Sequence, residues 1–467
     1  MKFLLKLTII FLFLPAFAFM LGARSYRYFF ILILSFFAIY ISFNFKKFII
    51  QTKNMLVMSP LKYLIYFLIY IIIDSFILCL NGIYDGKFAI VYLSQFIILY
   101  IFPCYLLSAY FIPKYLNFKK FQLLYLICFY SILLFGAIEI IGKLANIQLF
   151  VELQRFIANE RVLEGIKLGY EHRLCSTFAE PGWFAGFLFL NFPILYNSCS
   201  NNFKISNNNM LNFLLKKTLI PLAWFDLLLT MSPIWLIFCL IQVIYIFRKK
   251  IIKLIFNLKI FTFLCLLFIF LIILLMVLPT KNIEQISRII NTLISIYNFN
   301  VFVIVEPSLA ARIVSYINLL RLAFENIFLG VGLNNSPVYM VKMFATSPVP
   351  FTEENYFKYL DALKTGRQAF NGSIFYQTFA ETGIFGISLF FTFILKGLNE
   401  LKKTSKLLQP SLYKCFHTGV EGSVVALLFY SFYDSSLSRP YLWFLLGLVF
   451  SCVNYAKVLA KRQEIDK

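Results

Sequence analysis

Residues 216–250 read KKTLIPLAWFDLLLTMSPIWLIFCLIQVIYIFRKK. The stretch is apolar between two basic clusters, and its reading sets how the whole chain is threaded. One crossing would put a basic cluster on each side of a membrane. Two short segments, 218–230 and 232–247, turning near Ser232-Pro233, keep both clusters on one side. Each is shorter than the roughly 20 residues of a full crossing. Pro233 supplies the break, and short broken helices are tolerated at membrane depth where protein or a cavity covers them. The paired reading is therefore preferred.

The apolar pattern repeats along the chain. Of 467 residues, 61% are hydrophobic and 14% charged, and the mean hydropathy is +0.82. Soluble domains carry about a quarter charged residues. Apolar runs fall at 3–21, 28–45, 61–81, 88–112, 121–144, 181–198, 218–230, 232–247, 259–279, 372–395, 417–436 and 440–456. They predict an all-α polytopic membrane protein of about 12 transmembrane segments. Residues 1–20 have a basic start, and Ala16-Phe17-Ala18 resembles a signal-peptide cleavage site. An uncleaved first span is preferred, because more apolar chain follows at once.

With both termini inside, most of the 43 Lys and Arg fall in inner segments, as the positive-inside rule requires. The net charge of +22 is then a topology signal and does not call for nucleic acid. Two long outer loops remain, 145–180 and 280–371. They divide the chain into 1–144, 145–180, 181–279, 280–371 and 372–467. Arg departs from the Lys pattern: among all the Arg residues, only Arg248 and Arg462 lie inside. A guanidinium offers phosphate a planar, bidentate fork. An anionic, phosphate-bearing substrate on the outer side is one reading; ordinary loop salt bridges are the other.

The nine Cys form no CxxC pair, and His172 and His417 are the only His. A Cys/His zinc site is implausible on that inventory. There is no P-loop, no dinucleotide fingerprint and no paired acidic metal motif, so neither a metal nor a cofactor is expected.

The first outer loop ends in EHRLCSTFAEPGWFAG, residues 171–186. Pro181 suits the first residue of a helix and disfavours helix at the residue before it. Glu180 is thus expected at or near the N-cap of the sixth span, where the helix dipole favours its carboxylate. If the approach is helical, Arg173, Ser176 or Thr177, and Glu180 share one face. A capping Glu paired with a nearby Arg is the alternative. The second loop is too long to be only a connector. Residues 283–299 are expected to lie along the membrane surface. Residues 308–326 predict an amphipathic helix ended by Gly330-Val331-Gly332. Arg312 and Tyr316 fall on one face of it and Arg321 on the other, where Glu325 is a local partner at i+4. NGSIFYQTFAETGIFG, residues 371–386, opens the tenth span and carries Glu381 into an apolar segment. Intramembrane carboxylates are costly and are usually functional or paired. Asp74, Glu139, Asp226, Glu421 and Asp434 also fall in apolar runs and are read as helix–helix contacts.

Three stretches resemble one superfamily. RLCSTFAEPGWFAGFL from Arg173 resembles the R-x-x-S-x-F-x-E-P-G-x-x-A motif of bacterial O-antigen and exopolysaccharide repeat-unit polymerases. ARIVSYINLLRLAFENIFLGVGLNN resembles their R-x-x-x-(W/Y)…GxG-x-N stretch, and FYQTFAETGIFG the Q-x-x-x-E-x-G-x-x-G of the following span. The superfamily also holds O-antigen ligases, which usually carry a His-Asn pair just before that span. Here Phe370-Asn371-Gly372-Ser373 has no His, which favours polymerase. The resemblance implies a GT-C-like, metal-independent glycosyltransferase of the bacterial inner membrane with its active site facing the periplasm. Its partners would be undecaprenyl-diphosphate-linked oligosaccharides and membrane lipid, with room for a chain-length regulator and a flippase. Glu180, Arg173 and Arg312 would be catalytic. Tyr316, Arg321, Asn334, Asn371, Glu381 and His172 would bind substrate, although His172 also reads as a solvated neighbour of Arg173. A lipid-linked oligosaccharide flippase is the reading from another class. It would need charges lining a central path.

Overall fold

A computed structural model describes residues 59–83, 85–97, 108–109, 118–144, 181–230, 307–343, 360, 373–433 and 440–465. The expected segments at 3–21, 28–45, 232–247 and 259–279, the turn at Ser232-Pro233 and the surface helix at 283–299 lie outside these residues. The described elements are α1 (Ser59–Leu80), α2 (Gly86–Gln95), α3 (Phe118–Leu144), α4 (Pro181–Cys199), α5 (Asn209–Lys217) and α6 (Leu219–Leu229). They continue with α7 (Pro307–Glu325), α8 (Ser336–Met343), α9 (Ile374–Ser405), α10 (Leu412–Tyr433) and α11 (Pro440–Ile465). No strand occurs among the described residues. Among the described residues, five helices are long and apolar enough to cross a membrane: Pro60–Leu80, Phe118–Ile141, Ile374–Ser405, Leu412–Tyr433 and Leu442–Ala460. The chain is an all-α, multi-pass membrane protein. Helices suit these runs because hydrocarbon offers no water to exposed N–H and C=O groups, so each segment must satisfy its own.

Helix starts follow the local signals. α4 begins at Pro181 as the sequence predicts, since the missing N–H of proline costs nothing in a first turn. Thr218 separates α5 from α6, and Asn208 caps α5 by accepting from Leu211 N. α9 and α11 overrun their apolar runs, continuing past 395 and 456 into polar turns. Glu400 ties those extensions together, accepting from Lys403 on α9 and from Lys457 on α11.

Small and polar residues set the packing. Without a hydrophobic drive between helices in lipid, close approach and interhelical hydrogen bonds hold them together. Pro193 sits inside α4, and α10 presents Gly419 and Gly422 to it. A Cβ on Gly419 would stand 2.6 Å from the Cα of Ile194, so α4 and α10 touch backbone to backbone. Tyr125 on α3 donates to Asn191 Oδ1 on α4, and Gln122 donates to Ser198 Oγ at 3.1 Å. Among the described spans α11 is the most enclosed, with 72% of its apolar window buried. α1 has 33% buried and shows Ile72, Ile73, Phe76 and Leu80 outward, as a lipid-facing edge helix would.

Contacts fix the helix directions. Phe67 meets Phe390 and Tyr70 meets Thr382, so α1 and α9 run antiparallel. Pro193 and Ile194 against Gly422 and Gly419 make α4 and α10 antiparallel. Phe118 packs on Tyr413 and on Tyr455, which places the start of α3 with the start of α10 and the end of α11. Two ends result. Lys119, Lys120, Lys216, Lys217, Lys402, Lys403, Lys414 and Lys457 belong to one; Pro181, Arg312, Ile374 and Tyr433 belong to the other. The expected topology predicts that a Cys at exposed position 207, at the Lys end, resists impermeant thiol reagent from outside, while a Cys at 165 reacts. Labelling single-Cys variants of a Cys-free protein in intact cells checks this. The reverse pattern would overturn it.

Candidate functional site

The end that holds Pro181, Arg312 and Tyr433 is built around a break in α9. At Gly383 the backbone takes φ 63° and ψ −169°, a region essentially restricted to glycine. The break frees the groups that a continuous helix would pair, and a second segment pairs them. Val331 N donates to Ala380 O at 3.1 Å and Gly332 N to Glu381 O at 2.9 Å. Tyr70 on α1 donates its hydroxyl to Thr382 O at 2.8 Å, and Ile384 N donates to Ile327 O at 2.7 Å. Each such group left bare in hydrocarbon would cost several kcal/mol.

The partner segment is the loop after α7. Gly330, Gly332 and Asn334 hold positive φ of 74°, 94° and 62°. A Cβ on Gly330 would stand 2.5 Å from the carbonyl carbon of Glu381, and one on Gly383 2.1 Å from Phe328 O. The two glycine-bearing motifs of the sequence, GVGLNN and ETGIFG, are thus interlocked backbone to backbone.

Glu381 secures the joint. It is 1% exposed. Its Oε1 accepts from Ser336 Oγ at 2.7 Å and from Gln377 Nε2 at 2.8 Å, and backbone N–H groups of Asn334 and Ser336 also donate to the carboxylate. Ser336 opens α8, so the carboxylate sits at a helix N-terminus, where the dipole favours negative charge. The cost of burying an acid is offset by donors on every side. Such a carboxylate positions the loop, and substrate contact through it would require a donor to leave. The carboxamide of Asn334 is likewise 1% exposed, yet neither its oxygen nor its nitrogen has a partner; Gln377 Oε1 has none either.

The cationic part of the site lies on α7. Arg312 places its guanidinium 4.7 Å from the ring centre of Tyr433 at the end of α10, a cation–π contact. Tyr316, one turn on, donates to Tyr433 O at 2.6 Å and packs its ring 5.0 Å from that of Tyr376 near the start of α9. Arg321 points elsewhere: its Nε lies 2.9 Å from Glu325 Oε1, the local pair that the spacing predicts. Both partners are exposed by more than a third, and exposed pairs of this kind are worth about 0.3–0.5 kcal/mol.

The described structure thus brings Arg312, Tyr316, Asn334 and Glu381 to one end, with Arg321 on the far face of α7. Glu180, Arg173, His172 and Asn371 lie outside the described residues. Pro181, which follows Glu180 in the chain, begins α4 at this same end. Tyr70, Tyr433 and Ser336 were not singled out by the sequence reading, and Gln377 entered it only as the first position of the Q-x-x-x-E motif. Gln377 stands one turn before Glu381, a spacing that signals a same-face partner; the others are distant in sequence and carry no local signal. No protein-family profile matches the chain, and no curated protein is significantly similar to it.

Proposed function

We propose that this protein is a metal-independent glycosyltransferase that polymerises undecaprenyl-diphosphate-linked repeat units at the outer face of a bacterial inner membrane. The observation that supports this most is the convergence at one helix-bundle end, opposite Lys119, Lys216, Lys402 and Lys414, of Arg312, the start of α4 and the interlocked loop. The diphosphate of a lipid-linked donor stays near the membrane surface, because its charge cannot enter hydrocarbon. Its departure needs positive charge that arrives without metal or nucleotide. Arg312 and Arg173 supply that charge through bidentate contacts. Glu180, before the first turn of α4, takes the proton of the acceptor sugar hydroxyl. Tyr316 anchors the end of α10 beside Arg312, the unpartnered carboxamide of Asn334 is held just beneath, and Glu381 holds the Asn334 loop in place.

Two variants separate the arginines. Arg312→Lys keeps the charge but loses the fork. Losing a hydrogen bond to a charged group costs about 1.5–3 kcal/mol, so activity should fall about tenfold to a hundredfold. Arg321→Lys should stay within about twofold, since its pair with Glu325 is exposed and local. Polymer yield per amount of membrane-inserted protein checks both. A severe loss at 321 with normal yield at 312 would reverse the assignment.

The class is tested by a surface-polysaccharide gel from cells lacking the protein. Loss of the ladder with the single-repeat band retained is the polymerase result. Loss of the single-repeat band as well points to ligase. Lipid-linked units accumulating inside the cell point to flippase.

A further inference from the structure

Asp226 has no part in the reaction proposed above. It lies on α6, is fully buried at 0% exposure, and neither Oδ1 nor Oδ2 accepts a hydrogen bond. Its carboxyl group faces α3 at Gly136, where an added Cβ would stand only 2.8 Å from Oδ2. A side chain at 136 would occupy the space that the carboxyl group fills. Three residues further along α3 is a second buried acid, Glu139, 3% exposed. α3 also carries Tyr130 and Lys143; α4 carries Tyr196 and Cys199; α5 carries Lys216 and Lys217. Tyr130 is engaged with Thr218 Oγ1 at 3.2 Å and Lys216 with Asn201 O at 2.8 Å. Thr218 precedes Asp226 by eight residues, about 12 Å of helix rise. No described group donates to Asp226.

A bare carboxylate in apolar surroundings, beside a second acid, is the least favourable state such a group can adopt. The neutral acid avoids both penalties. We propose that Asp226 is a buried proton-binding site at the α3–α6 contact, held as a carboxylic acid opposite Glu139 and accessible to apolar, carboxyl-directed reagents. A lipophilic carbodiimide reports this chemistry directly. The acid proton passes to one carbodiimide nitrogen while the carboxyl oxygen bonds the central carbon. The O-acylisourea formed rearranges to a stable N-acylurea, with no other reactant. This inference rests on the membrane fold and not on the glycosyltransferase reading.

The test treats full-length protein in its membrane with dicyclohexylcarbodiimide over a series from acid to alkaline pH. The masses of the peptides spanning 121–143 and 218–248 are then read. The expected result is an adduct at Asp226 at acid pH that is lost as pH rises. A water-soluble carbodiimide should leave the residue unmodified, and the adduct should be absent in Asp226→Asn. No adduct at acid pH, an equal yield at every pH, or an adduct at Glu139 alone would overturn the proposal. Because the primary readout is on the wild-type chain, it does not depend on the variant folding.

Discussion

Replacing Glu180 by Gln is expected to lower polymer formation by about 10²–10⁴-fold, the contribution of a positioned general base. The argument begins at Pro181. A proline in the first turn fixes where α4 starts, and the antiparallel packing of α4 on α10 puts that start at the level of Tyr433. Arg312 stacks on Tyr433 from the other side of the sequence. In the proposed reaction, this is the depth at which the lipid diphosphate meets water, and Glu180 precedes α4 in the chain. Gln has the same shape and retains an oxygen to cap the helix, so folding and insertion should persist. Polymer yield, normalised to membrane-inserted protein, is the readout. A Gln variant with normal yield would reduce Glu180 to a helix cap.

The largest expected effect on stability is at Gly383. Any side chain there adopts a strained backbone, at about 1–3 kcal/mol, and its Cβ would lie 2.1 Å from Phe328 O. The loop must then retreat from α9, abandoning the bonds from Val331 and Gly332. Each group left unpaired in an apolar setting adds several kcal/mol. Gly383→Ala should therefore lower the melting temperature of the purified protein sharply or abolish its accumulation. Gly82→Ala is the control: its φ of 69° is also positive, but nothing lies within 4 Å of an added Cβ. It should show the conformational penalty alone, about 1–2 kcal/mol. Equal behaviour of the two variants would mean that the interlock at Gly383 contributes nothing.

How much of this was legible in the sequence depended on distance along the chain. The starts of α4 and α7, the common face of Arg312 and Tyr316, and the Arg321–Glu325 pair all follow from helical spacing, a local property. The break in α9 does not. FYQTFAETGIFGISLFF reads as one apolar run, because Gly383 is tolerated in a helix. It becomes a break only because GVGLNN, some 50 residues upstream, supplies the donors that a break requires. Glu381 shows the same limit. Its burial signals that partners exist, but those partners include the amides of a distant loop. The overrun of α9 and α11 has another cause: hydropathy marks where lipid ends, whereas a helix continues into water wherever side chains such as Glu400, Lys403 and Lys457 support it.

The central claim is tested most directly by reconstitution. Purified protein in liposomes is given an undecaprenyl-diphosphate-linked repeat unit in the presence of a metal chelator. The account predicts a ladder of lengthening lipid-linked glycans, with undecaprenyl diphosphate released at each addition. No lengthening in the presence of folded protein, or transfer only to an added lipid A-core acceptor, would contradict it.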